Sequence, residues 1–337
     1  MANKKRVVLT GIGGFVGSHL MSHLLKNTDY EIIGIASWEH KGMPTRVAED
    51  ENYKKDIDRV QIITHDLSAP ITPDLIEKIG KVDIILNLAS DSHVDRSITD
   101  PVPFIHNNVN IAVNMLEYAR ICKPELFLQF STDEVYGQAK EGEYHEEWDV
   151  IKPSNPYSAS KAAQEAIAIA YWRTYSVPVI ITNCMNIFGQ YQDKEKFTPL
   201  CIGKVLRGET LYIHSYPGAQ KAGSRFYLHT RNIASAVLFI VQNIIPKLYP
   251  EADRPERFNV VGDIEIDNLA FAQKIAEIVG KPLKYELTDT HSARPGHDCR
   301  YALSGEKLKQ AGFVYPVNFE ESLKTTVKWY CDNPKYL

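Results

Sequence analysis

The sequence predicts an α/β fold, in which a doubly wound parallel sheet is followed by a smaller, mixed α/β domain. Its first half alternates short β-branched runs with helical patterns, which is typical of consecutive βαβ units. A chain of 337 residues with 44% hydrophobic and 24% charged content can bury one large core or two moderate ones. The runs that predict strands are Arg6 to Leu9, Glu31 to Ile35, Val60 to Ile63, Val82 to Leu88, Leu126 to Phe130 and Val179 to Thr182.

Helices are predicted where apolar residues recur at spacings of three and four. After Asn186 the alternation gives way to mixed segments rich in proline, tyrosine and charge. We therefore predict one domain over residues 1–186 and a second over 187–337, with some crossing of the chain between them. The predicted helices are Val16 to Lys26, Pro103 to Cys122, Tyr157 to Tyr175, Pro199 to Arg207, Asn232 to Asn243, Asn268 to Val279 and Glu320 to Tyr330.

Charge and composition exclude several classes of partner. A formal net charge of -4 supplies no broad basic surface for nucleic acid, so an anionic ligand must be bound by local arginines. The N-terminus lacks the pattern of a secretory signal, and no segment is apolar for long enough to span a membrane. The five cysteines are scattered, and we expect His145-Glu146-Glu147 to form a solvated turn. We expect a cytoplasmic protein without a metal, a nucleic-acid partner or a membrane contact.

A glycine-rich turn follows the first strand and opens the first helix. Gly11, Gly14 and Gly17 form a GxxGxxG pattern there. Glycines permit a tight turn and close approach of the backbone to a pyrophosphate, while the helix N-terminus supplies amide donors. The pattern predicts a Rossmann-type dinucleotide site, against the alternative of an ordinary glycine-rich turn. The cofactor contacts predicted here and at the end of the fourth strand are Gly11, Gly14, Phe15, Val16, Gly17, Leu88, Ala89 and Ser90.

The residues after the second and third strands leave the choice of cofactor open. A Rossmann site for NAD has an acid at the end of the second strand, whereas Ser37 follows this strand. Ser37 and the basic side chains at positions 40, 41 and 46 would tolerate the extra phosphate of NADP, although a solvated basic loop explains them equally well. Asp66 and Leu67 are predicted to contact the adenine, with an ordinary turn aspartate as the alternative.

Tyr157 and Lys161 are the predicted catalytic pair. They lie four residues apart in a predicted helix, so both face the same side, one turn apart. A phenol ionises near pH ~10, and a neighbouring ammonium favours the phenolate, so Lys161 would make Tyr157 a usable base. Both are also predicted cofactor contacts, because Lys161 can bind the nicotinamide ribose. The alternative is a surface Tyr and Lys on an amphipathic helix.

Two adjacent carboxylates, Asp133 and Glu134, follow the fifth strand directly. Neighbouring carboxylates repel each other, which raises the pKa of at least one and allows one to act as an acid while the other acts as a base. The alternative is a pair of solvated turn acids.

These residues resemble those of the extended short-chain dehydrogenase/reductase superfamily, and in particular its nucleoside-diphosphate-hexose 4,6-dehydratases. The likeness runs almost from end to end of the chain. The Asp-Glu pair is the mark of the dehydratases, because related epimerases and decarboxylases commonly carry other residues there. The motifs are Gly11 to Leu20 (GIGGFVGSHL), Ser92 to Ile98 (SHVDRSI), Ser131 to Gly137 (STDEVYG), Asn155 to Lys161 (NPYSASK), Thr182 to Gly189 (TNCMNIFG) and Arg294 to Ala302 (RPGHDCRYA).

The resemblance implies a role for each catalytic residue. Tyr157 would take the proton of the sugar 4-hydroxyl while hydride leaves C4 for the nicotinamide, with Thr132 hydrogen-bonded near the 4-oxygen. Glu134 would remove the C5 proton while Asp133 protonates the departing C6 hydroxyl. Return of hydride to C6 and of a proton to C5 would give a 4-keto-6-deoxy sugar and regenerate a tightly bound NAD(P)+, with NAD favoured by the family.

The resemblance also implies the substrate contacts and the assembly. The substrate would be a dTDP-, UDP-, CDP- or GDP-hexose whose diphosphate is held by arginines. A homodimer would form through two helices per subunit, about Pro103 to Cys122 and Tyr157 to Tyr175. The predicted substrate contacts are Ser92, His93, Asn186, Arg225 and Arg294. As alternatives, Asn186 could be a turn residue, Arg225 a charge at the end of a strand and Arg294 a charge in a loop.

Several departures from the family pattern leave the base, the sugar and the cofactor phosphate open. Ile213 to Gly223 replaces a shorter turn, Thr230-Arg231-Asn232 replaces Val-Glu-Asp, and Cys299 stands where Arg is common. The alternatives to 4,6-dehydration are 5,6-dehydration, epimerisation or decarboxylation of a nucleotide sugar. A noncatalytic dinucleotide-binding sensor is the alternative from another class, because the fold alone does not decide the function.

Overall fold

The computed structural model describes residues 4–39, 42–289 and 298–337. Its larger strands and helices follow the alternation that the sequence predicts. The strands are β1 Arg6–Thr10, β2 Glu31–Ala36, β3 Val60–Thr64, β4 Ile84–Asn87, β5 Leu126–Thr132, β6 Val179–Cys184, β7 Ile187–Phe188, β8 Thr210–Ser215, β9 Ser224–Phe226, β10 Leu228–His229, β11 Glu256–Val260, β12 Glu265–Asp267 and β13 Lys284–Asp289. The helices are α1 Phe15–Asn27, α2 Pro44–Ala48, α3 Glu51–Lys55, α4 Pro73–Ile79, α5 Val94–Thr99, α6 Pro101–Cys122, α7 Pro156–Tyr175, α8 Phe197–Arg207, α9 Thr230–Asn243, α10 Asn268–Val279, α11 Glu306–Gln310 and α12 Phe319–Asp332.

A seven-stranded sheet runs in the order β3-β2-β1-β4-β5-β6-β11. The pairs from β3 to β5 are parallel, with Val8 opposite Ile33 on one side and Ile85 on the other. The strand order reverses between β1 and β4, and ligands of such sheets bind at the carboxyl ends of the strands on either side of this point. The predicted doubly wound α/β fold is confirmed.

The contacts of the described residues divide the chain into two compact units. The first unit takes Met1–Val135, Pro156–Asn183 and Ala234–Phe258, and the second takes Tyr136–Asn155, Cys184–Ile233 and Asn259–Leu337. Each unit is thus assembled from three separate segments. A functional division at residue 186, with cofactor contacts before it and nucleotide-sugar contacts after it, stays a prediction.

The core of the first unit lies between the sheet and the long helices α6 and α7. Ile85 and Phe127 on the strands pack with Met115 of α6 and Trp172 of α7, and all four side chains are excluded from solvent. Removing such apolar surface from water is the main stabilising contribution to the fold. The indole nitrogen of Trp172 also donates to the carbonyl of Lys247 at 2.8 Å. Helix α7 is therefore packed against the sheet through Trp172.

The second unit is mixed α/β, as predicted. It contains the parallel pair β8 and β13 and the antiparallel pair β9 and β12. Its core is aromatic: the Phe188 ring contacts those of Tyr227, Phe271 and Phe319, and Tyr227 stacks on Phe271. Within the described ranges, no helix has the length and apolar content that are needed to cross a bilayer.

Candidate active site

The glycine turn between β1 and α1 leaves no space for side chains at its key positions. Gly11 has a φ of 70°, in the left-handed region, and its carbonyl accepts from the amide of Gly14 at 2.8 Å. A Cβ at Gly17 would lie 2.1 Å from the carbonyl oxygen of Gly11, a backbone atom that cannot move aside without breaking the turn. Phe15 and Val16 form the first helical turn, whose amides point into the turn region. The geometry fits a dinucleotide pyrophosphate.

The segment after β4 lies directly against this turn. The amides of Leu88 and Ala89 both donate to the hydroxyl of Thr10, each at 2.9 Å. A Cβ on Gly11 would come within 3.2 Å of the Ala89 Cα, so the two backbones are in close contact. Ser90 is partly exposed and donates to the carbonyl of Asp91. The structure therefore brings the predicted cofactor residues of β1 and β4 together.

The end of β2 carries a tryptophan that covers the glycine turn. Ser37 is half-buried, and Trp38 adopts a φ of 61° and donates from its indole nitrogen to Thr64 at 2.9 Å. A Cβ at Gly13 would lie 2.6 Å from the Trp38 ring, which shows how closely the ring packs on the turn. Arg46 is buried and donates to the Gly13 carbonyl, so the interpretation of this arginine as part of a solvated loop is wrong. His40 and Lys41 lie outside the described residues.

Asp66 and Leu67 follow β3. The Asp66 carboxylate accepts from the amide and the hydroxyl of Ser68, at 2.9 and 2.7 Å, so this aspartate stabilises a turn. The Leu67 side chain is buried in the core of the first unit. Contact of these two residues with an adenine stays a prediction.

Tyr157 and Lys161 lie in the first turns of α7 and are both buried, 9% and 3% exposed. The alternative interpretation, a surface Tyr and Lys, is therefore wrong. The Tyr157 amide donates to the Ser97 hydroxyl at 3.1 Å, and its ring makes an edge contact with Phe104. The Lys161 ammonium donates to the carbonyl of Phe130 and to Oε1 of Gln164, each at 2.6 Å. These contacts hold the ammonium against the end of β5.

The two carboxylates form a short 3-10 turn at the end of β5. Asp133 is 3% exposed and accepts from the Thr132 hydroxyl at 2.8 Å, while the Glu134 amide approaches the same hydroxyl at 3.3 Å. Glu134 is partly exposed. The alternative of two solvated turn acids is wrong for Asp133, and the two acids occupy different environments, as separate acid and base roles require.

A buried ion pair, which the sequence did not reveal, supports the strand that carries these residues. Asn183 on β6 donates from Nδ2 to the Thr132 carbonyl at 3.0 Å and to Glu165 at 2.7 Å. Glu165 also accepts from Arg257 at 2.8 Å, and the two charged side chains are 0% and 1% exposed. The signal available in the sequence was an asparagine at the end of an otherwise apolar strand.

The predicted substrate residues of the first unit lie after β4. Ser92 is exposed, and His93 begins α5, where its Nδ1 accepts from the Arg96 amide at 3.4 Å. Arg96 pairs with Asp91 at 3.2 Å. The structure gives His93 a supporting role at a helix terminus, and contact with substrate stays a prediction.

Two of the predicted substrate residues lie in the second unit. Asn186 is exposed after β6. Arg225 is 4% exposed, donates at 2.7 Å to the carbonyls of Asp298 and Cys299, and stacks on Tyr301. Arg225 thus anchors the chain at residues 298–299, and its contact with a diphosphate stays a prediction. Arg294 lies outside the described residues.

The expectation of a solvated turn at His145-Glu146-Glu147 is wrong. His145 stacks on Tyr136 and forms a bridge to Leu303, while Glu147 is 6% exposed and accepts from the Asn259 amide at 3.2 Å. Burial raises the pKa of Glu147 above its usual value. In the part of the chain that the structure describes, no group of three His, Cys, Asp or Glu side chains is placed to hold a metal ion.

The doubly wound sheet, the glycine turn and the buried Tyr157 and Lys161 define an extended short-chain dehydrogenase/reductase. A family model described as GDP-mannose 4,6 dehydratase matches residues 8–326. The chain therefore belongs to the GDP-mannose 4,6-dehydratase family, which confirms the resemblance found in the motifs.

Individual relatives cover nearly the whole chain. The dTDP-glucose 4,6-dehydratase 1 of Escherichia coli is 33% identical over 98% of this chain and 94% of its own. The low-salt glycan biosynthesis protein Agl12 of Haloferax volcanii is 31% identical over 96% of this chain and 98% of its own. A dTDP-glucose 4,6-dehydratase from Streptomyces venezuelae, solved with NAD bound, superposes with a TM-score of 0.84 at 29% identity over 98% of both chains.

Proposed function

We propose that this protein is a nucleotide-sugar 4,6-dehydratase that converts an NDP-hexose to an NDP-4-keto-6-deoxy-hexose. The observation that carries the proposal is the buried Asp133 beside the partly exposed Glu134, directly after Thr132 at the carboxyl end of β5. Oxidation at C4 alone needs only Tyr157 and Lys161, whereas elimination of water needs an additional acid and base. Family membership and the full-length likeness to dTDP-glucose 4,6-dehydratases support the same reaction.

The first half of the reaction belongs to Tyr157 and Lys161. In this proposal the Tyr157 phenolate takes the proton of the sugar 4-hydroxyl, and the buried Lys161 ammonium stabilises that phenolate through its charge. The Thr132 hydroxyl, at the end of β5, donates to Asp133 in the structure and would hydrogen-bond near the 4-oxygen once the substrate is bound. The chemistry that a bound nicotinamide supplies is reversible hydride transfer, from C4 and later to C6.

The second half belongs to the two acids. The C4 ketone acidifies the hydrogen on C5, which Glu134 removes as a proton. Asp133, as the protonated acid, gives its proton to the C6 hydroxyl, and water leaves as the C5=C6 double bond forms. Return of hydride to C6 would be supplied by the bound nicotinamide. The partly exposed Glu134 carboxyl exchanges its proton with water before it returns a proton to C5. At the end of the cycle Tyr157 carries the proton of the 4-hydroxyl and Asp133 lacks the proton that it gave. Transfer of one proton from Tyr157 to Asp133 through the solvent restores both, so the net change is the loss of one water.

The residues of the glycine turn fit a nicotinamide dinucleotide. Gly11 and Gly17 permit the tight turn, because a Cβ at either would meet backbone atoms, and the N-terminus of α1 supplies amide donors for a pyrophosphate. We propose NAD(P)+ as the resident cofactor. NAD is favoured by the relatives solved with it, whereas Ser37 in place of an acid also admits NADP. Mass spectrometry of the dinucleotide released by denaturing the purified protein distinguishes the two.

A homodimer through α6 and α7 is also part of the proposal. Ile105, Val109 and Val113 recur every four residues on α6 and are only half-buried. On α7, the small residues Ala162 and Ala166 are partly or fully open to solvent. An apolar stripe on one helix and small residues on the other suit close pairing of helices from two copies of the chain. Location in the cytoplasm stays a prediction of the sequence.

The experiment that tests the activity is mass spectrometry after separate incubations with dTDP-glucose, UDP-glucose, UDP-N-acetylglucosamine, CDP-glucose and GDP-mannose. Each incubation is run with and without added NAD or NADP. The proposal expects loss of one water from one of these substrates. The Asp133→Asn variant should abolish that loss yet retain oxidation at C4, which absorbance of the reduced nicotinamide reports. Unchanged dehydration in this variant contradicts the role of Asp133, and an isomer of unchanged mass would favour epimerisation.

A further inference from the structure

A row of buried polar side chains, one hydroxyl and three amides, runs across the sheet from the glycine turn to Lys161. Its members are Thr10 on β1, Asn87 on β4, Gln129 on β5 and Gln164 on α7, each no more than 1% exposed. The Thr10 hydroxyl donates to Asn87, Asn87 donates to Gln129, and Gln129 donates to Oε1 of Gln164, over distances of 2.9, 2.9 and 3.2 Å. Three consecutive polar side chains buried on neighbouring strands call for a reason, because each one costs free energy to bury.

The orientation of Gln164 is determined by its two neighbours. Its Nε2 donates to the carbonyl of Asn108 at 2.6 Å, and a carbonyl can only accept. Its Oε1 accepts from the Lys161 ammonium at 2.6 Å, and an ammonium can only donate. The position therefore requires a group that accepts at one end and donates at the other. Neither a carboxylate nor an apolar side chain of the same length can satisfy both neighbours.

The neutral amide of Gln164 also affects the electrostatics around Lys161. The two contacts described above place its ammonium on neutral oxygens, those of Phe130 and Gln164. A glutamate at position 164 would place a negative charge against the lysine, whereas the amide fixes the ammonium without adding a charge of its own. Hydrogen bonds that are linked in one direction, as in this row, also polarise and strengthen one another.

We propose that Gln164 is a positioning residue that holds Lys161 through a neutral amide, and that Asn87 and Gln129 link it to the turn that begins at Thr10. The same Thr10 hydroxyl accepts from the amides of Leu88 and Ala89. The row therefore connects the predicted dinucleotide contacts of β1 and β4 with the lysine that activates Tyr157. This inference rests on the proposed roles of Tyr157 and Lys161 but not on the identity of the sugar.

The test measures ionisation of the Tyr157 phenol without any substrate. The ultraviolet absorbance of phenolate is titrated in the wild type and in each variant, and the titration of the matching protein with Tyr157→Phe is subtracted. Gln164→Met keeps the side-chain length but loses the hydrogen bonds to Lys161, Asn108 and Gln129. Gln164→Glu keeps an acceptor for Lys161 and adds a negative charge. Gln129→Met removes the next link, and Gln273→Leu, on the exposed face of α10, is the matched control.

We expect Gln164→Met to raise the midpoint of the Tyr157 ionisation by about one pH unit, since the ammonium is no longer fixed nearby. Gln164→Glu should raise it further, Gln129→Met should raise it less, and Gln273→Leu should leave it unchanged. A purely structural row predicts another pattern, in which urea unfolding shifts in the Gln164 and Gln129 variants while the Tyr157 midpoint stays at the wild-type value. That pattern overturns the proposal. If neither Gln164 variant folds, the Tyr157 midpoint of Gln129→Met supports the proposal when it rises and overturns it when it stays at the wild-type value.

Failure of the proposed activity and failure of this inference give different results. If no nucleotide sugar loses water but the Tyr157 midpoint shifts as expected, the row positions Lys161 and the activity proposal is wrong. If water is lost but the midpoint does not shift in any variant, the activity stands and the positioning role is refuted.

Discussion

The ion pair between Arg257 and Glu165 allows a quantitative prediction for the support of the active site. Its atoms are 2.8 Å apart, and the side chains are 1% and 0% exposed. At an effective dielectric of about 20, unit charges about 4 Å apart attract by about 4 kcal/mol. Removing one partner of such a buried pair typically costs ~3–5 kcal/mol, because the remaining charge has been taken out of water.

The perturbation is Glu165→Gln, which removes the charge, nearly keeps the volume and retains an acceptor for Asn183. We expect the free energy of unfolding, measured by urea titration and linear extrapolation, to fall by ~3–5 kcal/mol. Combining it with Arg257→Met should restore much of this loss, because no isolated charge then remains buried.

The matched control is Glu320→Gln, which breaks the ion pair of Lys274 and Glu320. That pair has the similar length of 2.7 Å, but its side chains are 37% and 64% exposed. Exposed pairs contribute ~0–1 kcal/mol, so the control should change little. The reasoning is refuted if Glu165→Gln lowers the free energy of unfolding no more than the control does. It is also refuted if the loss in the double variant equals the sum of the losses in the Glu165→Gln and Arg257→Met single variants.

Three further predictions follow from the structure. Gly17→Ala should weaken binding of NAD or NADP at least tenfold, because the new Cβ would overlap the Gly11 carbonyl. Calorimetric titration should show this as a loss of about 1.4 kcal/mol in binding free energy. The control Ser18→Ala, one residue further along, should bind the dinucleotide normally. Glu147→Gln should stabilise the protein increasingly as the pH rises above 4.5. Burial raises the pKa of the Glu147 carboxyl in the folded state, so the wild type is most stable while this carboxyl is protonated and loses stability as it ionises. The urea midpoint of the variant should therefore rise relative to that of the wild type between pH 4.5 and 7, and a constant difference would contradict this prediction. Val109→Glu should convert a dimer into a monomer of 38.2 kDa in sedimentation, whereas Val314→Glu, at an 81% exposed site, should not; a wild-type monomer would rule out the proposed interface.

The sequence predicted the elements that have a strong local pattern. All six predicted strands and all seven predicted helices are present, and α10 has the predicted bounds, Asn268–Val279. Local periodicity was sufficient there because each segment buries one continuous apolar face. The seventh strand of the sheet, β11, was missed, because it follows a helix of the second half and contains the charged Arg257.

The residues that surround the candidate catalytic groups were less predictable. Tyr157, Lys161 and Asp133 were recognised by their spacing and position, but their burial was not evident from the sequence. Asn87, Gln129 and Gln164 are far apart in the chain, and only the sheet order brings them into one row. Glu147 was assigned to a solvated turn because its neighbours are polar, whereas tertiary contacts bury it. Partners of buried polar groups depend on the tertiary fold, which local patterns do not encode.

The most direct test of the proposed reaction follows a deuterium label at C4 of the nucleotide sugar that loses water. The account predicts that this deuterium is transferred within the active site and appears at C6 of the 4-keto-6-deoxy product, while hydrogen from solvent enters at C5. Deuterium that is found at C4 of a product that has lost water would contradict the account and indicate a 5,6-dehydratase.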